Sequence, residues 1–255
     1  MNSHIDRRRL LVGAGLVTVG GAAGVAAGIP VHAAIAAPGP TARTAVPDGS
    51  GTFQTTVTFR TTADTNLIAL TIDDGPTREW TPAMLALLQR HGAKATFFRV
   101  GERALAAPGL VEQTAAEGHE QGNHTWAHHD LTKDSQAAGR SSLERTHELL
   151  TRLTGQAPVL CRPPYGRIDS VGLNACSGMR YGVALWSHHI TGSNPGGGVN
   201  LILGHATPGS IVLAHDGGPE PTAALIRQLD RLVGSMTDQG YRFVTVSELL
   251  ASSSS

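Results

Sequence analysis

Charge imbalance is the first thing this 255-residue chain lacks: Lys and Arg number 20, and Asp and Glu number 20. Without a basic excess there is no electrostatic signature of a nucleic-acid partner. Cysteine is nearly missing. Cys161 and Cys176 are the only two, and their spacing fits no zinc pattern. With Cys161 ending a strand and Cys176 ending the following helix, the thiols are expected at opposite ends of one strand–helix unit. That places them beyond disulfide reach, as two reduced thiols. Aromatic residues amount to 4%, so each Trp stands out. No short-period repeat or block of like charge is visible.

Histidine is plentiful instead. Twelve is a high count for this length and raises metal or proton chemistry. A 16% charged, 40% apolar composition suits one globular domain of about 200 residues plus a leader. Residues 1–36 read as an export signal. Arg7-Arg8-Arg9-Leu10-Leu11 precedes an uncharged Gly/Ala-rich stretch, 10–31, and Ala33 and Ala36 offer small-residue cleavage sites. The Arg pair before Leu-Leu resembles a twin-arginine signal, which exports folded proteins and suits metal loading before export. The expected location is secreted or cell-wall associated, without stable membrane contact after cleavage. The stretch is also long enough to span a bilayer, so an uncleaved anchor is the other reading. Residues 37–50 form a polar Pro/Gly linker, and 51–251 form the globular domain.

Within that domain, 53–59 alternates Thr with Val and Phe, as an edge strand or hairpin arm does. Apolar runs then alternate with helical patterns. Strands are expected at 67–72, 95–100, a short run ending at 123, 158–161, 181–186, 211–214 and 242–246. A helix opens at Thr81-Pro82, and others cover 108–117, 135–153, 170–177, 199–205 and 221–237. Such alternation implies a parallel sheet, and about seven units in this length favour an α/β fold of the small (β/α) barrel type, in a single domain.

Each polar cluster follows a predicted strand. Asp73-Asp74 ends the first, His124 and His128 follow the third, Arg162 the fourth, and His215-Asp216 the sixth. In a parallel barrel those positions share one rim, where active sites are built. Successive residues of a strand point opposite ways, so one carboxylate of the Asp pair can face a metal and the other a water or substrate. On a helical turn, His124 and His128 share a face. Alone, an HxxxH is usually surface or packing histidine. With one carboxylate it makes a three-ligand site with open positions, for which zinc is the default and cobalt or iron suit similar ligands. Such an ion lowers the pKa of its water and polarises a carbonyl. The other carboxylate is placed as base, and His215 is a candidate acid unless it merely pairs with Asp216. Arg162 could hold the base by a bidentate pair. In the rigid loop 163–166, the Tyr165 N–H is a candidate oxyanion donor. Trp126 either stacks on a sugar or packs its loop, whereas Trp186 is expected in the core. Leu213 lines an acyl pocket or belongs to the core. His119, His129, His188 and His189 have no assigned role.

These residues resemble the polysaccharide deacetylase family, the NodB-type carbohydrate esterases, from about 67 to 250. Thr71-Ile72-Asp73-Asp74-Gly75-Pro76 is similar to the first family motif, which implies Asp73 as base and Asp74 as metal ligand. Asn123-His124-Thr125-Trp126-Ala127-His128 is similar to the second and implies both histidines as ligands. Arg162-Pro163-Pro164-Tyr165-Gly166 resembles the third, with the Arg orienting the base and the Tyr amide binding the oxyanion. Leu213-Ala214-His215 resembles the fifth, where the Leu contacts the acetyl methyl and the His is the acid. The resemblance implies a distorted (β/α) barrel and a divalent ion, Zn2+ or Co2+. It implies a metal-dependent hydrolase that removes N-acetyl, or O-acetyl, groups from a polysaccharide such as chitin oligomers or peptidoglycan.

The fourth motif departs. The family has an Asp that tunes the acid and a Trp that walls the acetyl pocket. Here Trp186-Ser187-His188-His189-Ile190-Thr191-Gly192 stands there, and no carboxylate follows until Glu220, apart from Asp216 beside the acid itself. The His215 imidazolium thereby loses a stabilising partner, and a weaker acid step at neutral pH or an altered substrate is expected. Two alternatives remain: a glycan-binding protein with a silent site, and a metal amidase acting on a non-carbohydrate amide.

Overall fold

In the computed structural model, residues 54–62 and 65–253 are described. The export signal at 1–36 and the linker at 37–50 lie outside the described residues. In chain order the elements are β1 (Val57–Thr58), β2 (Leu67–Asp73), α1 (Trp80–Arg90), β3 (Ala95–Arg99), α2 (Gly101–Ala106), α3 (Pro108–Ala116), β4 (Glu120–Asn123), α4 (Gln136–Thr154), β5 (Leu160–Cys161), α5 (Ser170–Gly178), β6 (Gly182–Ala184), β7 (His188–His189), α6 (Pro195–His205), β8 (Ile211–His215), α7 (Ala223–Asp238), β9 (Arg242–Val244) and α8 (Val246–Ser252).

All named strand pairs are parallel, in the order β1-β6-β5-β4-β3-β2-β8-β7, with β9 also on β2. Strand β6, next to the β1 end of this order, and β7 at its other end belong to one short segment, separated only by 185–187. Its first half pairs with β5 and its second with β8, so the ring closes through a bend. This is the distorted (β/α) barrel expected. Among the described residues it has nine strand segments rather than about seven, because the bend splits one strand and the 53–59 run supplies β1 as a parallel strand.

Strand β2 is buried at all seven positions, as a central parallel strand with both faces covered must be. Its alternation sorts two cores. Ile68, Leu70 and Ile72 face outward and pack with Leu85 and Leu88 of α1 and Leu225, Leu229 and Leu232 of α7. Leu67 and Ala69 point inward, with Phe98, Leu160, Ala184, Ile211 and Val244. Val246 and Leu249 of α8 join this inner cluster and plug the N-terminal end of the barrel. Thr245 and Glu248 close a capping box that starts α8. The inner face above this plug turns polar, at Thr71, Asp73 and Arg162.

Local chemistry explains the helix ends. Ser135 accepts a hydrogen bond from Ala138 N–H to start α4, and Gly155, at φ 72°, ends it. The start of α1 differs from expectation: the helix begins at Trp80, and Thr81 lies inside it. The Thr81 hydroxyl donates to Asp216 Oδ2 at 2.6 Å instead of capping.

The cysteine geometry is also corrected. Both thiols are free and buried, but they meet in one apolar cluster with Leu143, Tyr181 and Val183. Strand β5 is only two residues long, so α5 folds back beside it. Hydrogen bonding to Cys176, with burial, pushes the Cys161 thiol up.

Candidate active site

The site forms because β2 and β8 are in register. Asp73 sits opposite His215, and Thr71 opposite Leu213. Paired positions on neighbouring parallel strands share a face, so the candidate base and acid share the inner rim. The β4–β5 pair, Asn123 with Cys161, sets His124 beside Arg162 in the same way.

Asp73 is held from below. Arg162 donates from one terminal nitrogen to Asp73 Oδ1 at 2.8 Å and to Thr71 Oγ1 at 2.7 Å. Its remaining donors go to Ala184 O at 2.8 Å and Leu185 O at 3.0 Å. The expected bidentate pair is therefore replaced by a single contact, because the backbone of the bent segment 184–185 takes the rest of the guanidinium. The guanidinium lies 4.2 Å from the centre of the Phe98 ring and is fully buried. Asp73 Oδ2 remains on the cavity side, 3.8 Å from His124 Nε2.

Strict alternation fails at the next residue. Asp74 has a left-handed backbone, φ 73°, which swings its carboxylate to the same side as that of Asp73. Asp74 Oδ1 lies 3.3 Å from His124 Nε2 and 3.0 Å from His128 Nε2. The histidines do not ride a helix. Residues 124–130 are irregular, with φ 65° at Thr125 and 57° at His128. Four of the five non-glycine residues with positive φ (Asp74, Thr125, His128 and Tyr165) stand at this site; Arg180 is the fifth. Such conformations cost about 1–3 kcal/mol each and persist where surrounding structure enforces them. Asn123 enforces the turn here: its amide donates to Leu143 O and the Tyr181 hydroxyl, and its Oδ1 accepts from Thr125 N–H.

The donor set fits a divalent cation. One ligand atom each from Asp74, His124 and His128 lies within 4.8 Å of the others. Nδ1 of His124 is 2.6 Å from Arg162 O, a carbonyl that can only accept, so Nδ1 carries a proton and Nε2 points into the cluster. Asp74 Oδ1 is buried without a well-aligned hydrogen bond. Burial raises the Asp74 carboxyl, but contacts with both imidazoles outweigh it and hold the carboxyl well below the ordinary range. Burial lowers His124, and the two aspartates with the Arg162 carbonyl outweigh it and raise the group. The two shifts are reciprocal, because carboxylate and imidazole each favour the other's charged form.

Other candidate residues divide. Tyr165 sits at the loop tip with φ 60°, and its ring packs 4.8 Å from that of His128. The loop's hydrogen bonds run from Gly166 N–H to Pro163 O and from Arg167 N–H to Pro164 O, and Tyr165 N–H takes no part in them. Leu213 is buried on the inner face, flanked in register by Thr71 and His189. Trp126 is not brought to the site. It packs against Ala104, Val111, Leu149 and Leu150, under the Arg145 guanidinium at 3.9 Å, because the left-handed Thr125 turns it toward α2 and α4. Trp186 packs against two core clusters, as expected, and also reaches the site. It is half-buried, with its ring 6.1 Å from that of His189 and 5.6 Å from the Arg162 guanidinium, so it walls the site.

His215 does not pair with Asp216. That carboxylate turns away to Arg99, 3.0 Å distant, and both are fully buried. His215 faces His189 instead, with ring centres 5.3 Å apart. Sequence reasoning left Asp216–Arg99 and His189 without a role. The first was signalled only by an Asp adjacent to a strand-end His, the second only by a His pair inside the changed fourth-motif segment. A cavity of about 440 Å³ lies among His119, Glu120, Gln121, Thr154 and Thr245, at the N-terminal end of β4, and no candidate catalytic residue lines it.

Comparison with known proteins gives this geometry its context. The polysaccharide deacetylase family pattern matches residues 60–183. The chain is 37% identical over 199 residues to a peptidoglycan-N-acetylglucosamine deacetylase of Bacillus cereus, covering 76% of this chain and 92% of that protein. It is 33% identical over 191 residues to a chitooligosaccharide deacetylase of Sinorhizobium fredii, covering 68% and 87%. The crystal structure of a peptidoglycan N-acetylglucosamine deacetylase in complex with 4-naphthalen-1-yl-N-oxidanyl-benzamide matches with TM-score 0.71 at 34% identity, covering 76% of this chain and 92% of that one. By sequence and by fold, this chain belongs to the polysaccharide deacetylase family.

Proposed function

We propose that the protein is a secreted, metal-dependent hydrolase that removes N-acetyl groups from a polysaccharide, with chitin oligomers or peptidoglycan as the substrate class. The observation that carries this reading is the register of β2 and β8, which sets Asp73 and His215 side by side on one rim, with the Asp74, His124 and His128 cluster beginning at the next residue of β2's end. A divalent cation, Zn2+ or Co2+, held by those three side chains would supply Lewis acidity to a water and to the acetyl carbonyl. Asp73 Oδ2 takes a proton from the attacking water, while Arg162 fixes Oδ1. The Tyr165 N–H faces the developing oxyanion. His215 gives a proton to the departing sugar nitrogen, so one amide and one water become one amine and one acetate. Leu213 and Trp186 provide apolar wall for the methyl. Export rests on Arg7-Arg8-Arg9-Leu10-Leu11 and the uncharged stretch behind it.

Acetate release from N-acetylglucosamine oligomers and from peptidoglycan, with added zinc or cobalt, tests this reading. Release that depends on metal is expected. Metal-loaded protein that releases none across a panel of N- and O-acetylated glycans would overturn it. The changed fourth motif favours one second reading, a glycan-binding protein with a silent site. That reading predicts binding without release, and affinity unchanged in His215→Ala.

A further inference from the structure

The acid side of the site holds orphaned atoms on two imidazoles, besides Asp216 Oδ1. Among the described residues, His215 Nδ1 and His189 Nε2 are both buried and both without a hydrogen-bond partner. A buried polar atom left unpaired is costly, and native structures seldom leave two in adjacent rings. The rings that carry them meet edge to face, 5.3 Å between centres.

We propose that His189 is a positioning residue for the acid, a neutral imidazole whose Nε2 accepts the Nδ1–H of protonated His215. The inference rests on the functional reading above. A His that gives its Nε2 proton to a leaving nitrogen carries a second proton on Nδ1, and that proton needs an acceptor. Neither nearby carboxylate serves. Asp216 gives Oδ2 to Arg99 and Thr81, and its Oδ1, also buried and unpaired, lies against Gly75 rather than His215. Glu220 accepts the Gly192 N–H. The β7–β8 pairing, His189 with Leu213, fixes the imidazole beside the acid, and Trp186 covers it from the other side.

Polarity follows from the surroundings. Burial, then the charge of His215, pulls His189 below the ordinary histidine value, and Arg162 acts in the same direction. Glu220 and Asp73 oppose them without reversing the result. His189 is thus the neutral member of the pair and the acceptor. One bond, N–H to N, satisfies both orphaned atoms. A neutral acceptor stabilises an imidazolium less than a carboxylate does. The site therefore keeps the geometry of a His–carboxylate pair with weaker electrostatic support.

The test uses the metal-loaded full chain with N-acetylglucosamine oligomers, and pH profiles of kcat and KM for wild type, His189→Leu, His189→Gln and His189→Asp. His189→Leu should lower kcat by about 10- to 100-fold with KM within about twofold. His189→Gln, which retains an acceptor, should recover part of that loss. His189→Asp should carry the alkaline limb of the kcat profile upward by about one pH unit. Unchanged kcat in His189→Leu, or an unmoved limb in His189→Asp, would overturn the inference. If wild type releases no acetate, the functional reading fails, and 15N imidazole spectra still decide the pairing. A His215 Nδ1 signal that shifts in His189→Leu supports it, and a signal that does not shift refutes it.

Discussion

The two halves of the rim are built to different standards. On the ligand half, neighbouring groups hold the side chains in place: His124 is oriented by a carbonyl, Asn123 holds the turn, and a fully buried arginine makes one of its four hydrogen bonds to Asp73. On the acid half, two imidazoles face each other with one nitrogen of each unpaired, and neither of those nitrogens meets a carboxylate. The matched family pattern ends at residue 183, before the acid half begins. Support on the ligand half permits strained backbone at Asp74, Thr125 and His128; the acid half relies on strand register alone.

The largest expected effect separates chemistry from ligation within the first half. Asp73→Asn keeps an acceptor for Arg162 but removes the base. Turnover should fall by about 10³-fold, while zinc titration gives the wild-type affinity. Retained turnover would remove Asp73 from the chemistry.

Stability should show the same asymmetry between halves. Arg162→Met leaves the Asp73 carboxylate buried and unpaired, and urea denaturation should show a loss of about 3–5 kcal/mol. His189→Leu breaks a single bond to a neutral acceptor and should cost about 1 kcal/mol. Equal losses would erase the distinction.

A titrating residue outside both halves supplies the pH baseline. Burial, then Lys94 and Arg99, pushes His119 down to about 4, and its Nδ1 accepts from Ala95 N–H. Below the ordinary histidine value of 6.5, the unfolded chain gains a proton that the folded chain refuses until about 4. This contribution is full above 6.5 and is lost as pH falls toward 4, at a cost of about 1–3 kcal/mol. The difference in stability between wild type and His119→Gln, followed from pH 7 to 4, should shrink accordingly. A constant difference would contradict the assignment. The smallest effect concerns the barrel plug: Thr245→Ala opens the capping box of α8 and should cost about 1 kcal/mol without altering turnover.

How much of this was legible in the sequence depends on the range of the interaction. Strand–helix alternation revealed the barrel, because apolar runs and helix caps are local. The Asp pair, the two histidines and Arg162 stood out because strand-end polar residues converge in a parallel barrel. Features set by backbone handedness were misread. His124 and His128 meet through two left-handed residues and not through a helical turn, and the same twist sends Trp126 into packing. Features set by pairing between distant strands were silent: nothing local to His189 announces His215, and nothing local to Asp216 announces Arg99. Cys161 and Cys176 meet because β5 is two residues long, which no propensity foretold.

The central claim is that Asp74, His124 and His128 grip one divalent ion beside Asp73. Calorimetric zinc titration of the wild type, His124→Ala and His128→Ala tests it most directly. One ion per chain is predicted for wild type, with affinity at least about 100-fold weaker in each variant. Undiminished zinc affinity in either variant would contradict the account.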